Sequence, residues 1–143
     1  MRILGIDYGR KRIGVAMSDP MGWTAQGLPT ILCKEPDDGI SPLAAIVRKE
    51  GVERIIIGYP LDKNGGKGQA AETVERFGAR LKQVLGENAP PIELWDERFS
   101  SAEAERALLE GDRSRAKRRA SIDQVAAVLI LQGYLDSLKH REE

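Results

Sequence analysis

The stretch that most restricts the fold is Arg2-Ile-Leu-Gly-Ile-Asp7-Tyr-Gly9, followed by Arg10-Lys-Arg12 and then Ile13-Gly-Val-Ala-Met-Ser-Asp19. Two short apolar runs on either side of a tight basic turn predict a β-hairpin that opens a domain. Asp7 ends the first run, with glycines at 5 and 9 around it. A strand that buries Ile3, Leu4 and Ile6 does not end in a charge without a partner, because an unpaired buried carboxylate is costly. Water at the sheet rim, a cation or a metal ion can each fill that role, and the neighbouring glycines leave room for a substrate backbone.

A chain of 143 residues is long enough to bury a sizeable core and short enough to be one domain. We expect a single domain over residues 1–139 and a frayed tail at 140–143. Apolar residues make up 41% and charged residues 31%, which excludes a disordered chain. Basic and acidic residues balance at 22 each, so the distribution of charge has to carry any argument about a polyanionic partner. The single Cys33 makes no internal disulfide, and the opening residues lack the charged and apolar regions of a secretory signal. The longest apolar run, Val125 to Leu131, falls far short of the ~20 residues that a membrane span needs. The expectation is a soluble, cytoplasmic domain without a membrane partner.

Trp23 to Ile31 reads as a third strand, and Pro29 confines it to a sheet edge because proline donates no ladder hydrogen bond. Ile40, Leu43, Ala44, Ile46 and Val47 recur at helical spacing up to Gly51. Arg54 to Tyr59 is a continuous β-branched run of the kind covered on both faces. A glycine-rich loop from Pro60 to Gly68 leads to a helix marked by Ala70, Val74, Phe77, Leu81 and Leu85, and Ile92 to Glu97 forms the last strand. Ser100 with Glu103, and Ser121 with Gln124, are capping-box patterns that predict two closing helices, with the basic segment Arg113 to Arg119 between them. A hairpin meander followed by right-handed crossovers gives an α/β fold with a mixed five-stranded sheet of order 3-2-1-4-5 and helices on both faces. Strands 1, 4 and 5 then deliver their carboxyl ends to one rim, where open α/β sheets bind ligands.

Gly-Ile-Asp7-Tyr-Gly, Ile-Gly-Val-Ala-Met-Ser-Asp19, Ile-Gly58-Tyr-Pro60 leading to Asn64-Gly65, Asp96-Glu97-Arg98-Phe-Ser-Ser and Ile-Asp123-Gln-Val-Ala-Ala together resemble the YqgF family. It is also called RuvX, and is described as Holliday-junction-resolvase-like or as a pre-16S rRNA nuclease family. The match runs from end to end, in order. The resemblance implies a ribonuclease H-like fold and metal-dependent hydrolysis of nucleic-acid phosphodiesters. The implied role is 5′ processing of pre-16S rRNA, with resolution of Holliday junctions in branched DNA as the alternative. It makes Asp7, Glu97 and Asp123 the catalytic residues and ligands of Mg²⁺ or Mn²⁺.

Those residue types suit the chemistry. Two Mg²⁺ ions about 3.5–4 Å apart activate water and stabilise a leaving oxygen, and Mg²⁺ prefers carboxylate oxygen, substrate phosphate and water as ligands. Each acid also has a plainer reading. Asp123 sits where a helix dipole favours an acid, and Glu97 at a strand end can be a solvated surface group. The related RuvC resolvases carry their second acid at the end of the fourth strand, where this chain has Gly58-Tyr59-Pro60 and only Asp62 nearby. The second ligand then comes from strand 5, where Glu97 reaches further than Asp96 and alternation aims only one of the two at the site.

Arg10, Lys11 and Arg12 adjoin Asp7, Arg98 follows Glu97, and Arg113, Arg115, Lys117, Arg118 and Arg119 precede Asp123. Two basic clusters beside proposed ligands suit the phosphates of structured RNA or branched DNA, and such contacts position a substrate without reading its sequence. Trp23, Tyr8 and Tyr59 can stack on bases or pack in the core. Two other readings stand beside the nuclease. One is a non-catalytic nucleic-acid-binding module. The other is a nucleotide-binding lobe of the actin and sugar-kinase type, which needs a second lobe to enclose ATP.

Overall fold

In the computed structural model the described residues are 1–61, 64–96 and 115–142, with backbone alone for 115–121 and 140–142. Strands β1 (Ile3–Asp7), β2 (Arg12–Ser18) and β3 (Ala25–Leu32) form a meander. Helix α1 (Ile40–Glu50), strand β4 (Arg54–Tyr59), helix α2 (Gln69–Leu85), strand β5 (Ile92–Asp96) and a long helix α3 (Arg115–Glu142) follow. The sheet order is β3-β2-β1-β4-β5. β1 runs antiparallel to β2 and parallel to β4, and β4 runs parallel to β5. This is the expected order, with Pro29 on the expected edge strand. Pro29 lies where the register shifts, since Ile13 pairs with Ile31 but Val15 with Leu28, a bulge that tolerates a missing donor. Gly51 ends α1 at φ 62°, a left-handed cap.

Alternation along the strands splits the core between the two faces. Leu4, Ile6, Ile13, Val15, Ile55 and Ile57 point to one side, where Leu43 and Val47 of α1 and Val74, Phe77 and Leu81 of α2 cover them. Ile3, Ala16 and Ile56 point to the other, under Ala127, Ile130, Leu131 and Tyr134 of α3. Polar groups trapped in the packing are matched. The buried Ser18 hydroxyl accepts from Ile3 N–H at 2.8 Å and donates to the Met1 carbonyl at 3.3 Å. At the β2–β3 turn Asp19 accepts from the Thr24 hydroxyl at 2.7 Å. That bond, with the backbone N–H of Trp23, lowers its carboxyl to about 2.

Helix α3 corrects two expectations. Its backbone is already helical at Arg115, so Ser121 with Gln124 does not open it, and Arg115, Lys117, Arg118 and Arg119 occupy its first turns instead of a connecting loop. Alanine, arginine and lysine propagate a helix readily, and the Gln124 side chain, free of any capping duty, donates to the Leu28 carbonyl at 2.9 Å. Gln132 repeats the gesture, accepting from Ala25 N–H at 2.9 Å, so α3 is stitched to β3 at two points. Arg54 donates to the Tyr134 hydroxyl at 2.7 Å, tying α3 to β4.

The second correction concerns the glycines. Gly5 does not leave space for substrate, because a methyl group there would sit 2.7 Å from Leu131 Cβ. Gly9 is tightened against the Arg12 carbonyl within the turn. A Cβ at Gly14 would overlap the Asp123 carbonyl oxygen, and one at Gly27 would lie 2.5 Å from Gln124 Cγ. We predict that Gly14→Ala destabilises the protein by about 1–3 kcal/mol, the range for over-packing, measured by urea unfolding. Gly78→Ala, in the interior of α2 and meeting Ile57 Cδ1 at an ordinary 3.6 Å, stabilises it by about 0.5–1 kcal/mol.

Candidate active site

The β1 pleat turns Ile3, Gly5 and Asp7 toward α3, and Leu4, Ile6 and Tyr8 toward α1 and α2. Asp7 pairs across the sheet with Gly14, and cross-strand partners share a face. Gly14 is the position that the Asp123 backbone presses against. Asp7, partly buried at the strand end, and Asp123, partly buried on α3, are therefore brought to the same face at the same end of the sheet. The missing side chain at Gly14 is what lets the helix backbone at Asp123 come down onto β2.

Arg12 lies on this face too, two residues along β2 from Gly14. Its Nε donates to Asp123 Oδ2 at 2.9 Å across 111 residues of chain. Residue spacing carries no signal for a pairing of that kind. Arg10 and Lys11 are exposed in the turn, free to face a large anionic partner. Asp96 pairs with Tyr59, whose hydroxyl bonds to Glu75 of α2, so Asp96 belongs to the face opposite Asp7. Glu97, Arg98 and Arg113 lie outside the described residues, as does Asp62. Among the described residues no group of three metal-ligating side chains converges. Asp7 and Asp123 supply hard oxygen donors from one face, which suits Mg²⁺ or Mn²⁺ in kind.

Tyr59, Glu75 and Lys67 make a small network that no sequence motif announced. The Tyr59 hydroxyl donates to Glu75, and Lys67 Nζ reaches the same carboxylate at 3.1 Å. Both bonds hold the Glu75 carboxyl low, Tyr59 foremost, while the bond to Glu75 raises the Tyr59 phenol. The network ties the glycine-rich loop, through the Leu61–Lys67 bridge, to α2 beside the rim.

Burial in the seam between α3 and the sheet pushes the Asp123 carboxyl above its usual 3.8, and the Arg12 guanidinium opposes that rise. A carboxylate raised on folding binds its proton more tightly folded than unfolded. Its ionisation therefore weakens the fold as pH climbs from about 3.8 through the folded value, and no further above it. We predict that Arg12→Ala lifts the Asp123 carboxyl further in a ¹³C-carboxyl titration and steepens the loss of stability across that window. An unchanged Asp123 titration would contradict the pairing.

With this geometry in view, three comparisons bear on identity. The model of the RuvX family, described as Holliday junction resolvase, matches residues 1–137. A protein of Pelotomaculum thermopropionicum named "Putative pre-16S rRNA nuclease" is 51% identical over 138 residues, covering 96% of this chain and 88% of its own. One of the same name from Bacillus pumilus is 49% identical over 140 residues, covering 96% and 99%. Among solved structures, Thermus thermophilus RuvC in complex with Holliday junction substrate superposes with a TM-score of 0.58 at 13% identity, covering 97% of this chain and 96% of that one. The fowlpox virus resolvase bound to Holliday junction DNA gives 0.59 at 12%, covering 96% and 99%. At such low identity these two structures speak to the fold alone, a ribonuclease H-like one as expected. The family match over nearly the whole chain and the relatives at about half identity establish that this chain belongs to the RuvX (YqgF) family of nucleases.

Proposed function

We propose that the protein is a metal-dependent nuclease that hydrolyses phosphodiesters in 5′ processing of pre-16S rRNA, working in the cytoplasm where ribosomes are assembled. The observation that carries the reading is Gly14, which pairs with Asp7 and lies directly under Asp123. Asp7 and Asp123 thus lie on one face at one end of the sheet, and acids gathered at a rim repel each other unless cations intervene. Asp7 and Asp123, with Glu97 as the third, would hold Mg²⁺ or Mn²⁺. A metal held by these acids would supply positive charge against the anionic phosphodiester and would lower the pKa of a bound water. Asp96 turns to the opposite face of the sheet, which favours Glu97 as the contribution from the end of β5.

The remaining residues take roles that follow from position. Arg12 orients the Asp123 carboxylate and offsets its charge when the metal is away. Arg10 and Lys11 meet backbone phosphates at the turn, and Arg98, Arg113, Arg115, Lys117, Arg118 and Arg119 are the further residues assigned to phosphate contact on the strength of the sequence. No helix among the described residues is long and apolar enough to cross a membrane. The relatives' name favours precursor rRNA as the substrate, and the family description keeps branched DNA as a second reading.

The test offers a structured precursor RNA and a four-way DNA junction side by side in Mn²⁺. We expect cleavage of the RNA near the mature 5′ end. Asp7→Asn lowers the rate by more than about 100-fold, the scale of losing one preorganised electrostatic contact, with little change in melting temperature. Undiminished cleavage by Asp7→Asn would place the chemistry elsewhere. Binding without cleavage of either substrate would return the protein to the class of non-catalytic modules, and cutting of the junction alone would replace RNA by DNA.

A further inference from the structure

The face of the sheet opposite Asp123 carries a groove whose α2 wall the proposed chemistry does not use. Tyr8 and Arg10 from the end of β1 form one wall, with Asp37 from the segment before α1. Arg76, Phe77 and Arg80 of α2 form the other, enclosing about 340 Å³. A second hollow of about 380 Å³ shares Tyr8, Arg10 and Thr73 with it and runs on to Pro60 and the first residues of α2. The two lie side by side along the helix and are together called the channel. Its charge is lopsided: the groove lining holds three arginines against one carboxylate. Asp37 meets Arg80 at 2.7 Å, while Arg76 reaches the neutral Thr73 hydroxyl at 3.4 Å. Its aromatic surface is the half-buried Tyr8 ring, backed by the buried Phe77 at 4.3 Å between centroids.

From this juxtaposition we propose that the channel binds an unpaired nucleic-acid strand continuous with the substrate cut at Asp7. Cations spaced along a groove follow a phosphate backbone, and an aromatic wall offers bases a stacking platform tolerant of sequence. A duplex keeps its bases turned inward and has nothing to lay on Tyr8, so a single strand is the occupant that uses both features. Asp7 and Tyr8 are consecutive and face opposite sides of the sheet. A strand held at the acids therefore enters the channel by crossing the rim at Gly9 and Arg10. The proposal rests on the nuclease reading for its orientation, while the binding itself is measured without catalysis.

The experiment is fluorescence anisotropy in EDTA with short labelled oligouridine and oligothymidine, read as a function of salt. The Arg76→Ala/Arg80→Ala protein is expected to bind several-fold more weakly. Its slope of log affinity against log salt falls by about 1.4, which is two single-strand phosphate contacts. The Arg76→Lys/Arg80→Lys protein recovers the slope, and melting temperatures are followed for both. Saturable binding of either strand by the wild-type protein supports the proposal, and binding of neither overturns it. An unchanged slope in the alanine protein overturns it. Equal affinity of the wild-type protein for an abasic chain overturns the stacking by Tyr8. A slope change in a protein that cuts nothing in Mn²⁺ leaves the groove standing and removes the nuclease. Cleavage with an unchanged slope does the reverse.

Discussion

The close descent of α3 onto the sheet underlies everything else in the molecule. Three adjacent strands present glycine beneath it, Gly5 on β1, Gly14 on β2 and Gly27 on β3, and each lacks the carbon that would collide with the helix. The seam then closes on Leu131, Ile130 and Tyr134, all nearly inaccessible to solvent, which is the dense packing that makes interiors intolerant of added atoms. Gln124, Gln132 and the Arg54–Tyr134 bond fix the rotation of the helix about its own axis. Only with that rotation fixed does Asp123 come down beside the end of β1.

Placing a carboxylate in such a seam sets up an electrostatic tension. Burial disfavours the ionised form of Asp123, and Arg12 favours it. Taking a charge from water is tolerated when a partner satisfies it, and costly when it does not. With Asp7 turned to the same face, the arrangement gathers two acids at a rim whose adjoining turn exposes Arg10 and Lys11. A site of this character suits divalent ions, which neutralise the acids, and a polyanionic substrate. The opposite face carries its charges differently: Tyr59, Glu75 and Lys67 satisfy one another, and Arg76 and Arg80 of α2 line the groove, Arg80 paired with Asp37.

Local signals made the central architecture readable from sequence. The uninterrupted Arg54–Tyr59 run, the helical recurrence up to Gly51 and the edge-seeking Pro29 were enough to order the strands. Asp7 stood out because its neighbours are apolar. What stayed hidden depends on partners far away in the chain. Ser121 and Gln124 have the spacing of a helix start, but tertiary contacts recruit Gln124 to β3 and the helix runs on above it. Gly5 reads as openness next to a charge, yet Leu131 fills that space. Arg12 reads as one of three equivalent basic residues in a turn, but the pleat sends it to the α3 face, where Asp123 meets it. Asp96 and Glu97 are adjacent and chemically similar, and it took the register of β5 against Tyr59 to assign Asp96 to the other side.

The central claim is that Asp7 and Asp123, placed on one face of the sheet about Gly14, hold a divalent cation. Calorimetric titration of the full chain with Mn²⁺, in the absence of nucleic acid, tests it most directly. Saturable binding by the wild-type protein that is lost in both Asp7→Asn and Asp123→Asn, each still folded, is the predicted result. Equal binding by all three proteins, or loss on substituting only one of the two acids, would contradict a shared site.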